Sequence, residues 1–485
     1  MAVLEGMPAV HKKVIVNQFV SQDGVLESFN IDSLLSDKGA AKNDNFEFMG
    51  QVNPTAKNFD FKVEPFLFSD RIKQNLPEFG NLAFVDEMPV ESLVPGHYVD
   101  ISLPLGMEDV VSAASYHQKF IVVDGTAAFV SGMNLRTVDW DTSEHLVYDP
   151  RRMDFSSSIA EKEDVLSKAS LPDNGPRKDM TVYIEGPAVE DVSAVFKKRW
   201  DYLLGQGVKY SENSTSLTVK KNLPEFSAGV EAQITVTMPE PFDAHGIVET
   251  WYGAIRNAKK YIYIENQYLR APMLNDLIVE RMKEEPGLVL IVVTKPVSEW
   301  VDPSCWWTYK TDQLFKEEFP ERYFVYQLRS FDFVDVGWGF DETESRFTDM
   351  DTHTKCQIAD DIFISVGSAN HNNRGLIYEG EMNVAVLDGW FAREARKRVF
   401  GNILKEFYTD SDNVSGIVDD FKKAAAWNQF VWDNWEAEGW DIDLDGASLP
   451  IEYYPFGFLY PLDLGNPDDC LFEGISPDLM SPVGF

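Results

Sequence analysis

Alternation of apolar and polar positions is clearest from the middle of the chain onward. Residues 116–125 (YHQKFIVVDG) and 126–135 (TAAFVSGMNL) are apolar, β-branched runs that meet at Asp124-Gly125. An Asp-Gly pair between two such runs is typical of a tight β-hairpin. The pattern therefore predicts two paired antiparallel strands.

A helix is predicted after the short strand TVYIE, because apolar residues recur there at three- and four-residue steps. These residues are Val192, Val195, Phe196, Trp200 and Leu203. The second half then alternates helical patterns with apolar strands, in the order TWYGAIRNAKK, YIYIENQYL, NDLIVERMK, GLVLIVVTK, CQIAD and DIFISVGSAN. This rhythm indicates an α/β fold whose sheet is covered on both faces, and the two halves look like divergent copies.

Changes in composition divide the chain into four predicted segments. They are a first lobe at 1–210, a polar linker at 211–229, a second lobe at 230–410 and a tail at 411–485. The tail is acidic and rich in aromatic residues but shows no clean period. We expect it to be irregular and packed on the core, because large aromatic side chains are mostly buried.

Charge and hydropathy narrow the function classes. With 485 residues, of which 44% are hydrophobic and 13% aromatic, the composition is that of a globular protein. The formal net charge of −36 argues against a nucleic-acid partner, because phosphate-backbone binders carry a basic surface. No stretch supplies the ~18 apolar residues of a membrane span, so we expect a soluble protein, cytoplasmic or exported without a recognisable signal peptide.

Two segments repeat the same residue types at the same spacing. In each, a histidine is followed by Lys at plus two, Asp at plus seven and Asn at plus seventeen. The copies are His117, Lys119, Asp124 and Asn134 in the first, and His353, Lys355, Asp360 and Asn370 in the second. On a strand, residues two apart share a face, so each His and Lys point to the same side.

Such a cluster of imidazole, ammonium and amide groups suits a phosphodiester. Its transition state spreads negative charge over oxygens that Lys and Asn donors stabilise without a metal. One imidazole attacks phosphorus to give a phosphohistidine, while the second protonates the leaving oxygen and then activates water. We therefore predict no metal ligands and no cofactor.

The paired motifs resemble the HxKxxxxD signature of the phospholipase D superfamily. The second copy also has Gly-Ser-x-Asn, and the resemblance makes Ser368 a phosphate-contacting serine; the first copy reads Ser131-Gly132 instead. The family resemblance further implies two pseudo-symmetric α-β-α sandwich lobes, each with a mixed, mostly parallel sheet, that share one active site. The segments EGPAV and IENQY look like those of the family's larger phospholipases.

In the family a carboxylate downstream of each motif orients its histidine. Glu381 lies at the matching distance from His353, whereas Asp141 and Glu144 are the candidates in the first copy. The turn residues Asp124 and Asp360 are expected to be structural supports. The resemblance favours His117 as nucleophile and His353 as acid.

The resemblance implies a phospholipase D that hydrolyses the distal phosphodiester of glycerophospholipids at a membrane surface. Its products are phosphatidic acid and a head-group alcohol, and a small alcohol in place of water gives transphosphatidylation. Two alternatives stay open at this point. One is a superfamily nuclease or other phosphodiesterase, and the second is a non-catalytic lipid-binding protein with a degenerate site.

Overall fold

The computed structural model describes most of the chain from residue 116 onward and two short stretches before it. The described residues are 9–18, 45–52, 116–134, 139–154, 156–207, 214–238, 241–296, 305–335, 342–372, 375–376, 379–444 and 448–465. Most of the predicted first lobe before the hairpin lies outside these ranges.

Strands and helices alternate along the described part of the chain, and they include the elements that the sequence predicts. The strands of the first half are β1 (Lys12–Gln18), β2 (Phe46–Val52), β3 (Lys119–Val123), β4 (Ala127–Ser131), β5 (Arg177–Lys178) and β6 (Thr181–Glu185). Those of the second half are β7 (Ala232–Met238), β8 (Ala244–His245), β9 (Tyr261–Asn266), β10 (Val289–Val293), β11 (Tyr323–Asp335), β12 (Glu342–Asp349), β13 (Asp351–Thr352), β14 (Lys355–Ala359), β15 (Phe363–Gly367), β16 (Glu381–Leu387), β17 (Asp441–Asp443) and β18 (Leu459–Pro461).

The helices lie between these strands and after them. They are α1 (Ile159–Leu166), α2 (Ala188–Gly205), α3 (Gly246–Asn257), α4 (Pro272–Glu284), α5 (Cys305–Glu318), α6 (Gly389–Leu404) and α7 (Val414–Ala437). Helix α2 matches the helix predicted from the spacing of its apolar residues. Residues 214–229, within the predicted linker, form no helix or strand.

One large mixed sheet organises the second half. Its eleven strands run in the order β17-β12-β11-β10-β9-β14-β15-β16-β7-β8, with β18 paired to β11. Strands β9, β10 and β11 are parallel, and the other pairings are antiparallel. The α/β class is confirmed, but the expected predominance of parallel strands is corrected, because β14 and β15 form a hairpin and β16 returns beside it.

Helices cover both faces of this sheet, which explains why its central strands are apolar throughout. One face packs against α3, α4 and α5 through residues such as Trp251, Leu277 and Phe315. The opposite face packs against α6 and α7 and against the sheet of the first half. A strand buried on both faces requires a continuous apolar sequence, as in β10 (VLIVV).

The first-half sheet consists of β3, β4 and β6 in antiparallel order. Its inner residues Val130 and Ile184 join the same core as Val366 and Val384 of the large sheet. The two hairpins that carry the motifs therefore belong to sheets that share one hydrophobic core.

The tail differs from the irregular segment predicted. Helix α7 spans 24 residues, and Asn413 caps its first turn by accepting a hydrogen bond from the backbone N–H of Gly416 at 2.7 Å. Its buried side chains include Phe421 and Trp435, and β17 and β18 extend the large sheet. Within the described residues, no helix is long and apolar enough to cross a membrane.

Replacing Phe421 with Ala should lower the free energy of unfolding by about 3–5 kcal/mol, because the ring is fully buried and leaves a cavity. Its neighbours are the rings of Tyr263, Tyr326 and Phe400. Urea unfolding followed by circular dichroism measures the change. On the same helix Phe430 is 47% exposed, and Phe430→Ala should cost less than about 1 kcal/mol. Equal losses in the two variants would contradict the packing of α7 on the sheet.

Candidate active site

Each motif sits at the start of a hairpin whose turn holds the motif's aspartate. Asp124 and Asp360 have left-handed backbone conformations, with φ of 53° and 58°. Aspartate tolerates this region better than most residues. The Asp360 carboxylate also accepts hydrogen bonds from three successive backbone N–H groups, of Lys259, Lys260 and Tyr261. It therefore ties the turn to the start of β9.

A third strand completes each hairpin in the same way. In the first half β4 pairs with β6, with Ser131 opposite Thr181. In the second half β15 pairs with β16, with Gly367 opposite Asn383. An acidic residue precedes each of these third-strand residues by two positions, so the two acids occupy equivalent places in the two sheets.

These equivalent acids, Asp179 and Glu381, are hydrogen-bonded crosswise to the histidines. Nδ1 of His117 lies 2.8 Å from Oε1 of Glu381, and Nδ1 of His353 lies 2.7 Å from Oδ2 of Asp179. The expectation that Glu381 orients the histidine of its own motif is therefore wrong. Each carboxylate serves the other half, and with Nδ1 engaged, Nε2 is the ring atom left for chemistry.

Asp141 and Glu144, the residues predicted to orient His117, do not contact it, so that prediction is wrong. Asp141 accepts from the backbone N–H of Arg177 at 2.8 Å and lies 2.9 Å from Nδ1 of His145. Glu144 is exposed. The sequence prediction missed Asp179 because it took the distance from His353 to Glu381 and applied it to His117. Asp179 can be identified instead by its place two residues before Thr181 of the strand TVYIE, as Glu381 lies two residues before Asn383.

The two lysines repeat one geometry. The Lys119 ammonium donates to the backbone carbonyl of His117 at 2.6 Å, and the Lys355 ammonium donates to that of His353. Burial lowers the pKa of Lys119 to about 8 and that of Lys355 to about 7. Nearby carboxylates oppose the shift, chiefly Glu381 for the first lysine and Asp179 for the second.

Charges of both halves act on the His353 pair, which shows that the motifs form one cluster. Burial raises the pKa of Asp179 to about 7, against the attraction of Lys355 and Lys119. Burial also lowers the pKa of His353, and the positive charges of Lys355, Lys119 and His117 lower it further. An anion placed between these cations would favour their charged forms.

The serine of the second motif contacts a carboxylate. Ser368 donates its hydroxyl to Glu381 and accepts from the backbone N–H of Met382 at 3.1 Å. Its proton is thus engaged by Glu381, and the expected contact of Ser368 with a phosphate stays a prediction. At the equivalent place in the first half, a Cβ on Gly132 would lie 2.3 Å from Oδ1 of Asp179. The shorter acid therefore requires glycine where the longer acid has serine beside it.

The two motif asparagines follow the equivalent strands β4 and β15 by three residues. Asn370 is buried, and its side-chain oxygen has no hydrogen-bond partner within the described part of the chain. Asn134 is partly exposed, and its backbone N–H donates to Asp139 at 2.9 Å. Their expected role as amide donors to the substrate stays a prediction.

One group of side chains at the site has the spacing of metal ligands. Among the residues described, the candidate atoms of His117, Glu379 and Glu381 lie within 4.8 Å of one another, and all three side chains are buried. Both oxygens of Glu381 already accept hydrogen bonds, from His117 and from Ser368. A metal ion there would have to compete with the bond that orients His117. That catalysis needs no metal stays a prediction.

Sequence comparison finds proteins named phospholipase D. Phospholipase D A of Dictyostelium discoideum is 26% identical over 325 residues, which cover 56% of this chain and 24% of that protein. Phospholipase D alpha 1 of Carica papaya is 22% identical over 454 residues, which cover 71% of this chain and 55% of that protein. The chain thus spans a quarter to about half the length of these relatives. No family model matches it.

Among solved structures, phosphatidylserine synthase of Haemophilus influenzae Rd KW20 aligns with 82% of this chain and 82% of its own, with a TM-score of 0.41 and 12% identity. The fold and the site define an α/β protein with a duplicated histidine–lysine motif at one shared centre. This arrangement and the similarity to proteins named phospholipase D support membership of the phospholipase D superfamily.

The crossed pairing predicts which histidine responds to the loss of each carboxylate. Glu381→Gln should change the ring-nitrogen signals of His117 and leave those of His353 in place, whereas Asp179→Asn should do the reverse. Nitrogen-15 NMR of labelled histidines measures both, with assignments from single histidine replacements. Asp141→Asn is the matched control and should move only His145, its partner at 2.9 Å. If Glu381→Gln moved the signals of His353 and not those of His117, the crossed pairing would be refuted and Glu381 would be paired with the histidine of its own half.

Proposed function

We propose that this protein is a phospholipase D that hydrolyses the distal phosphodiester of a glycerophospholipid to phosphatidic acid and a head-group alcohol. The observation that carries the proposal is the pair of imidazoles, each held at Nδ1 by a carboxylate of the opposite half. Two oriented imidazoles with different surroundings suit a two-step displacement at phosphorus. The names of the relatives favour a phospholipid substrate.

In the first step Nε2 of His117 attacks phosphorus, and the bond between phosphorus and the head-group oxygen breaks. His353 donates its Nε2 proton to that oxygen, so the head group leaves as a neutral alcohol. Lys119 and Lys355 balance the charge on the phosphoryl oxygens. Since burial lowers the pKa of His353, the anionic substrate and Asp179 are needed to favour its protonated form.

In the second step His353, now neutral, takes a proton from water, and the water oxygen attacks the phosphohistidine. The bond between phosphorus and Nε2 of His117 breaks, which releases phosphatidic acid and restores the free imidazole. An alcohol in place of water gives a new phosphodiester, which is transphosphatidylation. Both outcomes use the same groups, so the acceptor that reaches phosphorus decides between them.

His117→Ala and His353→Ala should each lower head-group release by about 10⁴-fold or more, because the first removes the nucleophile and the second removes the group that acts as acid and then as base. Release is measured from vesicles of phosphatidylcholine, phosphatidylethanolamine, phosphatidylglycerol or cardiolipin. Single- and double-stranded DNA and RNA are incubated in parallel. Tryptic peptides of quenched reactions are searched for phosphohistidine at position 117.

His145→Asn is the matched control for these variants, since His145 is also buried and paired to a carboxylate, but outside the motifs. It should keep most of the activity. Rapid cleavage of nucleic acid without lipid turnover would replace the proposal by a nuclease. Full activity in both alanine variants would refute catalysis by the motif histidines.

Activity should fall at alkaline pH. The lysines bind phosphate only as ammonium ions, and the lowered pKa values of about 7 for Lys355 and about 8 for Lys119 place their loss of charge just above neutrality. His353 loses its proton in the free enzyme at lower pH, so the lysines should add a further, steeper decline of kcat/KM above about pH 7, since kcat/KM reports groups of the free enzyme. In Lys355→Arg the guanidinium stays charged, so this further decline should begin near pH 8, where Lys119 loses its charge.

Lys316→Arg is the control for the pH profile, because Lys316 lies on the surface and pairs with Asp312. Its alkaline limb should coincide with that of the unmodified protein. An unchanged limb in Lys355→Arg would show that a group other than Lys355 sets the alkaline pKa.

A further inference from the structure

A buried ion pair lies immediately behind the second motif and joins the two halves. The ammonium of Lys178 contacts the carboxylate of Glu265, with side chains 5% and 0% exposed. The second oxygen of Glu265 accepts from the hydroxyl of Tyr263 at 2.6 Å. All three polar groups thus have partners in the interior.

Lys178 directly precedes the acid that holds His353. Its backbone carbonyl accepts from the backbone N–H of His353 at 2.8 Å and from the hydroxyl of Thr354 at 3.3 Å. The Lys178 backbone therefore contacts the second motif directly, while its side chain contacts Glu265 of β9 in the interior. Any shift of residue 178 would move Asp179 with it.

Glu265 lies on the strand that flanks the second motif. In the antiparallel pair of β9 and β14 it stands opposite Cys356, and Cys356 is buried in the core shared by the two sheets. Since neighbours along a strand point to opposite faces, Glu265 lies on the side away from Lys355. The ion pair thus anchors the segment of Asp179 to the strand beside β14 without entering the catalytic face.

Among the residues that the structure describes, no such ion pair lies at the equivalent place beside the first motif. Gly380 is the equivalent of Lys178, because it directly precedes the acid Glu381. It forms a parallel bridge with Tyr116, and Lys178 pairs in the same way with Thr352. A Cβ on Gly380 would lie 2.2 Å from the ring of Tyr116. The Tyr116 ring thus occupies the space that a side chain at position 380 would need, so the arrangement beside His117 differs from that beside His353.

We propose that Lys178, Glu265 and Tyr263 are positioning residues that fix Asp179 and, through it, the orientation of His353. Buried ion pairs seldom add net stability over apolar side chains of similar volume, so a directional role explains this one better than a stabilising role. The inference rests on the proposed phosphodiesterase activity for its kinetic test. It also makes a structural statement that is testable without turnover.

Lys178→Met and Glu265→Gln are compared with the unmodified protein for kcat, KM and thermal unfolding. Both should lower kcat by about 10- to 100-fold with KM within about threefold, because the error lies in orientation and not in substrate binding. In an Asp179→Asn background, adding Lys178→Met should cost less than about threefold, since the group that it positions is already lost. Lys168→Met is the matched control; its ammonium contacts Asp332 at 2.7 Å near the surface and should not affect kcat.

Unchanged kcat in a folded Lys178→Met and Glu265→Gln would overturn the inference, as would a full loss repeated in the Asp179→Asn background. If Lys178→Met does not fold, Glu265→Gln decides, because the amide keeps the shape of the carboxylate. Nitrogen-15 NMR of His353 gives the readout without turnover: its signals should move in Lys178→Met as they do in Asp179→Asn. Absence of phosphodiesterase activity in the unmodified protein with that NMR shift present would refute the proposed function and leave the positioning intact.

Discussion

The hydrogen bonds from His117 to Glu381 and from His353 to Asp179 join residues 264 and 174 positions apart in the chain. Neither half contains both members of a pair, so the imidazoles acquire their orientation only when the two halves pack together. The shared apolar core supplies the free energy for that packing, through contacts such as Val130 with the strands of the large sheet. Correct assembly of the fold and correct geometry of the site are thus one requirement.

This requirement explains why the motifs were predictable and their pairing was not. The strand period places His and Lys on one face, and Asp-Gly marks the first hairpin, so both follow from local sequence. The carboxylates depend on register. Ser131 and Thr181 are partners 50 positions apart, whereas Gly367 and Asn383 are partners 16 positions apart. The distance along the chain between motif and acid in one half therefore does not give the position of the acid in the other half. The third strand of each sheet does give it, because the acid lies at the start of that strand or just before it in both halves.

The fold shows the same division between local and distant causes. The apolar strands and helix α2 have clear periods and form as predicted. Helix α7 was missed because tryptophans outside its buried stripe obscure the period, and because Asn428 lies within the stripe. That amide is buried because it donates to the backbone carbonyls of Phe456 and Leu459, which lie in the segment after the helix. No local pattern contains that partner.

The two halves solve the same problem with different side chains. Beside Glu381 stands Ser368, whose hydroxyl holds the longer acid, and beside Asp179 stands Gly132, which leaves room for the shorter one. The surroundings of the two imidazoles therefore differ. Burial and the positive charge of Lys355 lower the pKa of His353, and an anion bound nearby would oppose that shift. In the proposed mechanism, His353 is the acid while the diester is bound and the base once the alcohol has left. The unequal halves would thereby give the proposed two-step reaction its two distinct histidines.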